Sequence, residues 1–230
     1  LEVLRQLKDA GMHGLPGGGA EMLVDDVRLD ISPKKGSADN WIRVMEEAQS
    51  LGLTTSATNV FGFGETPRHR ILHMDRIRVM QDEAHSLGRT GFTSFIAWPV
   101  MLENNSFGTR NKGRNRFVLG AGPIEYLRHV AISRLFFDNI VHIQASWPTM
   151  GIDVAQMALL AGADDAGSTM MEENVVSASG TTKTEASERE LQGMILRAGF
   201  RPRKRDSDYV SLDTDVDYEI LAAPVPSQSG

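Results

Sequence analysis

"IVHIQASWPTMGIDVAQMALLAGADDAGSTM", residues 140–170, decides the fold. Its first part alternates, with His142, Gln144 and Ser146 on one face and Ile143 and Ala145 on the other, which is the period of a strand. "GIDVAQMALLAG" (151–162) is a continuous apolar stretch that stops at a glycine, as helices do. "ADDAGSTM" (163–170) is a second short strand. Strand, helix, strand in so short a span is a parallel β/α unit. Polar groups on an inward strand face are costly unless paired or functional, so Gln144 and its neighbours mark a candidate site.

The same rhythm runs through the chain. "LEVLRQLKDAG" (1–11) has helical spacing and ends at Gly11. "MHGLPGGGAEML" (12–23) is a short strand breaking into glycines. "SADNWIRVMEEAQSLG" (37–52) starts on a capping Ser37, carries the stripe Trp41, Val44, Met45, Ala48, and stops at Gly52. "LTTSATNVFGFGE" (53–65) and "FTSFIAWPV" (92–100) are strands, and "TPRHRILHMDRIRVMQDEAHSLG" (66–88) is a helix with Pro67 in its first turn. "PIEYLRHVAISRLFF" (123–137) and "SERELQGMILRAGF" (187–200) are helices. Strands thus end near Gly19, Gly62, Pro99, Trp147 and Thr169.

These elements predict an α/β fold, a partial (β/α) TIM-type barrel of about five parallel strands. An open doubly wound sheet is the alternative. A complete eight-stranded barrel takes about 250 residues, and five long units in 230 residues read as the back part of a larger one. Residues 1–205 form that part, and the acidic, then Pro/Ser-rich stretch 206–230 reads as a weakly structured tail. The glycine-rich segment 103–122 reads as a surface loop or a lid over the strand ends.

Composition sets the outer limits. Hydrophobic residues make up 41% and charged residues 23%, as in soluble globular proteins. A net charge of −6 argues against duplex nucleic acid, and no apolar run approaches a membrane span. The chain has no cysteine, which excludes disulfides and thiolate metal sites and fits a cytoplasmic setting.

In parallel β/α architecture the chemistry sits at the C-terminal ends of the strands. The first ends "PGGGAE", where Gly18 and Gly19 let backbone amides approach a ligand and Glu21 follows as an acceptor. The plain alternative is a tight turn into a helix. The second ends "NVFGFGE", again glycines and then Glu65. The third places Trp98 where a flat ring could stack, or where a core tryptophan would sit. The fifth leads into "STMMEENVVS", where Glu172 could be the capping-box partner of Ser168 or Thr169. His69 and His73 stand four apart on a helix without an HExxH context and read as a solvated face. No P-loop, nucleophile elbow or dinucleotide fingerprint is present.

Six motifs in order carry a family likeness: "LPGGGAE", "ISPKKGSADNW", "TTSATNVFGFGETPRHR", "GFTSFIAWP", "HIQASW" and "GADDAGSTMMEENVVSASG". The chain resembles radical S-adenosylmethionine enzymes of the menaquinone and deazaflavin pathways, from residue 1 to about residue 209. Within them it is most similar to the futalosine cyclases, with aminofutalosine synthase and the FO synthase subunits as further relatives. The resemblance implies S-adenosylmethionine, a [4Fe–4S] cluster and an electron donor. The implied chemistry is reductive cleavage to a 5′-deoxyadenosyl radical, followed by hydrogen abstraction from a small nucleoside-derived substrate and its cyclisation. It implies cofactor contacts at Gly18, Gly19, Glu21, Thr58, Val60 and Glu65. Thr58 stands where the motif G-x-I-x-G-x-x-E has its first glycine. It implies substrate contacts at Trp98, Gln144, Ser146, Asp165, Glu172 and Asn174. The family's C-x-x-x-C-x-x-C cluster loop has no counterpart here, so no residue of this chain is assigned to metal. The expectation is that three N-terminal β/α units, cluster loop included, are missing and that the chain alone is inactive. A non-catalytic remnant is the competing reading.

Overall fold

The computed structural model describes residues 1–111, 119–169 and 185–212. Within them one sheet of four parallel strands has the order β1-β2-β3-β4, the order of the sequence: β1 (Gly14–Leu15), β2 (Thr54–Phe61), β3 (Phe92–Pro99) and β4 (His142–Gln144). Parallel neighbours require crossovers, and helices supply them. The crossovers are α2 (Asp25–Ile31) and α3 (Ala38–Ser50), then α4 (Pro67–Ser86), then α5 (Ser106–Arg110) and α6 (Pro123–Phe136); α1 (Glu2–Asp9) precedes β1, and α7 (Trp147–Met150), α8 (Ile152–Leu160) and α9 (Glu188–Arg197) follow β4.

The fifth strand position is filled, but only by one parallel bridge from Gln144 to Asp165. Two backbone bonds make it, Asp164 N to Ile143 O at 3.0 Å and Ala145 N to Asp165 O at 2.8 Å. About five strands was therefore the right scale. The doubly wound alternative does not fit, because the strand order never reverses.

Register divides the sheet into two faces. Asn59 pairs with Ala97, Val60 with Trp98, and Ile96 with both Thr58 and Gln144. Ala57, Asn59, Phe61, Phe95 and Ile143 face the helices, and Ser56, Thr58, Val60, Ile96, Trp98 and Gln144 face the other way. On the helix side Met74, Ile77 and Met80 of α4, Tyr126 and Val130 of α6, and Trp41 and Met45 of α3 form one buried core with the sheet. The expected caps are in place: the Ser37 side chain accepts from Asn40 N, and Pro67 follows N-cap Thr66.

Phe95 lies at the centre of that core, fully buried, with its ring 4.7 Å from that of Phe137. Removing it leaves a cavity that so tightly packed an interior fills only in part. Phe95→Ala should cost about 3–5 kcal/mol, read as a lowered denaturant midpoint with an unchanged slope. A loss below about 1 kcal/mol would show that the core is looser than drawn.

His73 corrects the sequence reading. It is fully buried rather than solvated, because residues 73, 74, 77, 80, 81 and 84 form the sheet-facing stripe of α4. His69 closes the capping box at Thr66.

Candidate functional site

Chain geometry first fixes the loop after β1. A Cβ at Gly17 would lie 2.2 Å from the Ser56 carbonyl oxygen, so only glycine allows this approach to β2. Gly17 N donates to Ser56 Oγ at 3.2 Å, and the Thr58 hydroxyl donates to Gly17 O. Gly18 is exposed with open space around it, and Gly19 takes a left-handed φ of +88°. The glycine cluster thus serves close packing at its first member and a turn at its third. Thr58 spends its hydroxyl inside the fold.

Four buried side chains strap the residues that follow. Arg28, only 1% exposed, donates from Nη1 to the carbonyls of Gly19 (2.9 Å) and Ala20 (2.6 Å) and from Nε to Gly36 O (2.8 Å). Burial pulls its guanidinium below the ordinary value, with the Glu21 and Asp25 carboxylates opposing. Asn59 Nδ2 donates to Glu21 O at 2.8 Å, and Asn59 Oδ1 meets His129 Nε2 at 2.8 Å. His73 Nδ1 accepts from Leu23 N at 2.9 Å. Desolvation is the main reason both histidines are pulled down to about 3, so both are neutral.

What these straps hold is Glu21, a non-glycine residue at φ +40°. One carboxylate oxygen pairs with the exposed Lys35 ammonium. The other, Oε2, is buried without a hydrogen bond, 3.8 Å from Arg28 Nη1. An unsatisfied buried carboxylate oxygen is an acceptor awaiting a donor.

The other expected residues divide. Val60 and Trp98 pair at the C-terminal ends of β2 and β3, both half-buried and on the face away from the helices. Gln144 joins Thr58 and Ile96 on that face. Glu65 lies apart from it. Its fully buried carboxylate accepts from Gly62 N (2.9 Å), Phe63 N (2.7 Å) and Arg70 Nε (2.6 Å), so it shapes its own turn. Ser146 also leaves the face, because the strand ends at Gln144. Its backbone N donates to the Tyr126 hydroxyl at 2.7 Å and its side chain meets Thr149. Asp165 accepts from Arg205 Nε (2.7 Å) and Gly167 N (2.5 Å), and is committed within the fold. Glu172 and Asn174 lie outside the described residues, and with them the capping box at Ser168 or Thr169.

Arg205 is the last residue of the stretch read as barrel, and the first residues of the supposed tail fold back with it. Residues 204–212 form a hairpin, with Leu212 N bonded to Lys204 O and Asp206 N to Val210 O. Tyr209 at its tip stacks on His142 with centroids 4.0 Å apart and planes 8° apart, and Arg205 lies 4.0 Å over the same ring. Burial, then the Asp165 carboxylate, raises the Tyr209 phenol. Asp208 takes the Thr54 hydroxyl. The hairpin therefore covers the starts of β2, β3 and β4, opposite Glu21, and the described residues are packed beyond residue 205.

The segment after β3 crosses the other end. Val100 N bonds Phe61 O at 2.7 Å, Phe107 of α5 packs edge-on against Phe63, and Gly120 N bonds Gly62 O at 2.6 Å. A Cβ on Gly62 would lie 2.8 Å from the Gly120 carbonyl carbon, which rules out a side chain there. The loop expected as a lid is thus anchored at both ends over β2, with residues 112–118 outside the described residues.

Arg28, Asn59, His73, His129 and Tyr209 escaped the sequence reading. Asn59 left a signal: it occupies a helix-facing position between Ala57 and Phe61, where a polar side chain needs a buried partner. Among the described residues no group of three or more His, Asp or Glu side chains is placed to hold a metal, and no helix is long and apolar enough to cross a membrane.

Comparison with known proteins matches this architecture. Residues 89–217 match the model of the CofH/MqnC C-terminal region. The cyclic dehypoxanthine futalosine synthase of Halalkalibacterium halodurans is 43% identical over 95% of this chain and 55% of its own length. The aminodeoxyfutalosine synthase of Thermus thermophilus is 39% identical over 90% of this chain and 54% of its own. The 5-amino-6-(D-ribitylamino)uracil–L-tyrosine 4-hydroxyphenyl transferase of Archaeoglobus fulgidus is 38% identical over 92% of this chain and 59% of its own. The chain spans little more than half the length of these relatives. It belongs to the CofH/MqnC family, whose C-terminal region its residues 89–217 match.

Proposed function

We propose that this chain is the substrate-facing part of a radical S-adenosylmethionine cyclase that acts on dehypoxanthine futalosine on the way to menaquinone. The observation that carries this reading is the strapped Glu21, with a buried free oxygen, at the strand ends of a chain 43% identical to a cyclic dehypoxanthine futalosine synthase. Glu21 accepts hydrogen bonds from the cofactor. Lys35 and Arg28 hold the carboxylate in place. Val60 and Trp98 offer apolar and flat surface beside it, and Gln144 offers an amide to the hydroxyls of a nucleoside-derived substrate. Bound here, S-adenosylmethionine supplies radical chemistry on one-electron reduction, with the electron coming from a donor outside this chain.

The residues present fit that cofactor but not an iron–sulfur cluster. Such clusters are held mainly by cysteine thiolates, and the chain has none. No step is therefore assigned to a cluster within these residues.

Calorimetry tests the reading. S-adenosylhomocysteine should bind, and Glu21→Gln should weaken it by about 1.5–3 kcal/mol, the value of a hydrogen bond to a charged group. Affinity for dehypoxanthine futalosine should change little. Unchanged S-adenosylhomocysteine affinity removes Glu21 from the site. Binding of 5-amino-6-(D-ribitylamino)uracil in preference to dehypoxanthine futalosine would move the chain to the transferase branch, to which the Archaeoglobus relative belongs by name.

A further inference from the structure

Glu21 has a side chain at a φ that glycine adopts without strain, although three glycines stand just before it at 17–19. The fold therefore holds a strained position in order to present a carboxylate. Its carbonyl takes two donors, Val60 N at 2.9 Å and Asn59 Nδ2 at 2.8 Å. Asn59 is fully buried, and its amide nitrogen also reaches Val60 O at 3.3 Å. With the nitrogen committed to two carbonyls, the Asn59 oxygen is what meets His129 Nε2 at 2.8 Å, so His129 donates and its Nε2 carries the proton. The His129 ring is wedged against Phe61, centroids 4.4 Å apart, and is 2% exposed. A polar bridge thus crosses from α6 through β2, in a largely apolar layer, and ends on the Glu21 carbonyl.

We propose that Asn59 and His129 are positioning residues that hold Glu21 in its left-handed conformation, so that its carboxylate meets the donors of the cofactor already oriented. The functional half of this inference rests on the reading of Glu21 given above; the geometric half does not. Pre-organised acceptors bind more tightly because the ligand does not have to order them.

The test uses the full 230-residue chain labelled for NMR, with Glu21 backbone carbon shifts reporting its conformation and S-adenosylhomocysteine as the probe ligand. Asn59→Ala and His129→Leu should both move the Glu21 shifts out of the left-handed range and weaken the ligand about tenfold. His129→Gln, which keeps an N–H donor, should hold the Glu21 shifts and keep affinity within about threefold of the parent. A role in packing alone predicts the opposite order, since leucine fills the ring's place better than glutamine does. Glu21 shifts that stay put in folded Asn59→Ala, or that move equally in the two His129 variants, overturn the proposal. Should Asn59→Ala not fold, the His129 pair decides it. If the parent chain binds no S-adenosylhomocysteine, the cofactor reading fails while the shifts still decide whether Asn59 and His129 position Glu21.

Discussion

Acidification from pH 7 to pH 5 should cost the fold about 4 kcal/mol through two histidines, each approaching about 1.4 kcal/mol per pH unit once the pH is well below 6.5. His73 and His129 are held neutral, pulled down to about 3 from an ordinary 6.5, chiefly by burial; His129 adds to the shift at His73, and Arg70 to that at His129. The unfolded chain takes up these two protons first, below pH 6.5. The stability they permit is therefore complete above pH 6.5 and drains away as the pH falls toward 3. Protonation would also break the bond His73 accepts from Leu23 N, loosening the Glu21 loop along with the core. Domains carry only about 5–15 kcal/mol in total, so the loss is a large share. Urea titrations at pH 7 and pH 5 measure it, and His129→Gln should halve the histidine part of the difference. Equal stability at the two pH values would mean that neither ring is as dry as the structure places it.

The second large effect is all or none. Given iron, sulfide and reductant under anaerobic conditions, residues 1–230 should stay colourless and form no 5′-deoxyadenosine from S-adenosylmethionine. Cysteine thiolates are the ordinary cluster ligands, and the sequence has none. Of the histidines that could stand in, His142 is committed to Asp164 at 2.7 Å and to the Tyr209 ring, and His13 is exposed with no partner ligand set. Adding the N-terminal part of a curated relative, with a C-x-x-x-C-x-x-C loop, should restore both properties. A brown, cofactor-cleaving preparation of the chain alone would demand ligands that the described residues do not offer.

The alternation of strand and helix was legible because each element carries its own period and its own stop, as in Ser37 to Gly52 and Thr66 to Gly88. The place of Glu21 in the chain was legible because glycines ahead of it mark a turn after β1. What escaped reading is what depends on partners far away in sequence. Glu65 resembles a ligand contact until the amides of Gly62 and Phe63 are seen to fill it. Ser146 follows the alternation of His142 and Gln144 on paper, but the backbone turns into α7 first. Asp165 could not be assigned to Arg205 without knowing that the chain returns beneath the sheet. His73 read as part of a solvated face and His129 drew no reading, because nothing local says which side of α4 or α6 meets the strands.

The 204–212 hairpin also bears on the order in which the molecule is made. Asp208 closes on Thr54 across 154 residues, and contacts so distant in sequence slow folding. During synthesis, at about 5–20 residues per second, the early strands leave the ribosome many seconds before the tyrosine that seals them exists. Until then the starts of β2 to β4 present a bare sheet surface to the cell. This late stretch thus ends the exposure of that surface to aggregation, and a stop codon shortly before residue 205 would cost more in yield of folded protein than the few contacts removed would imply.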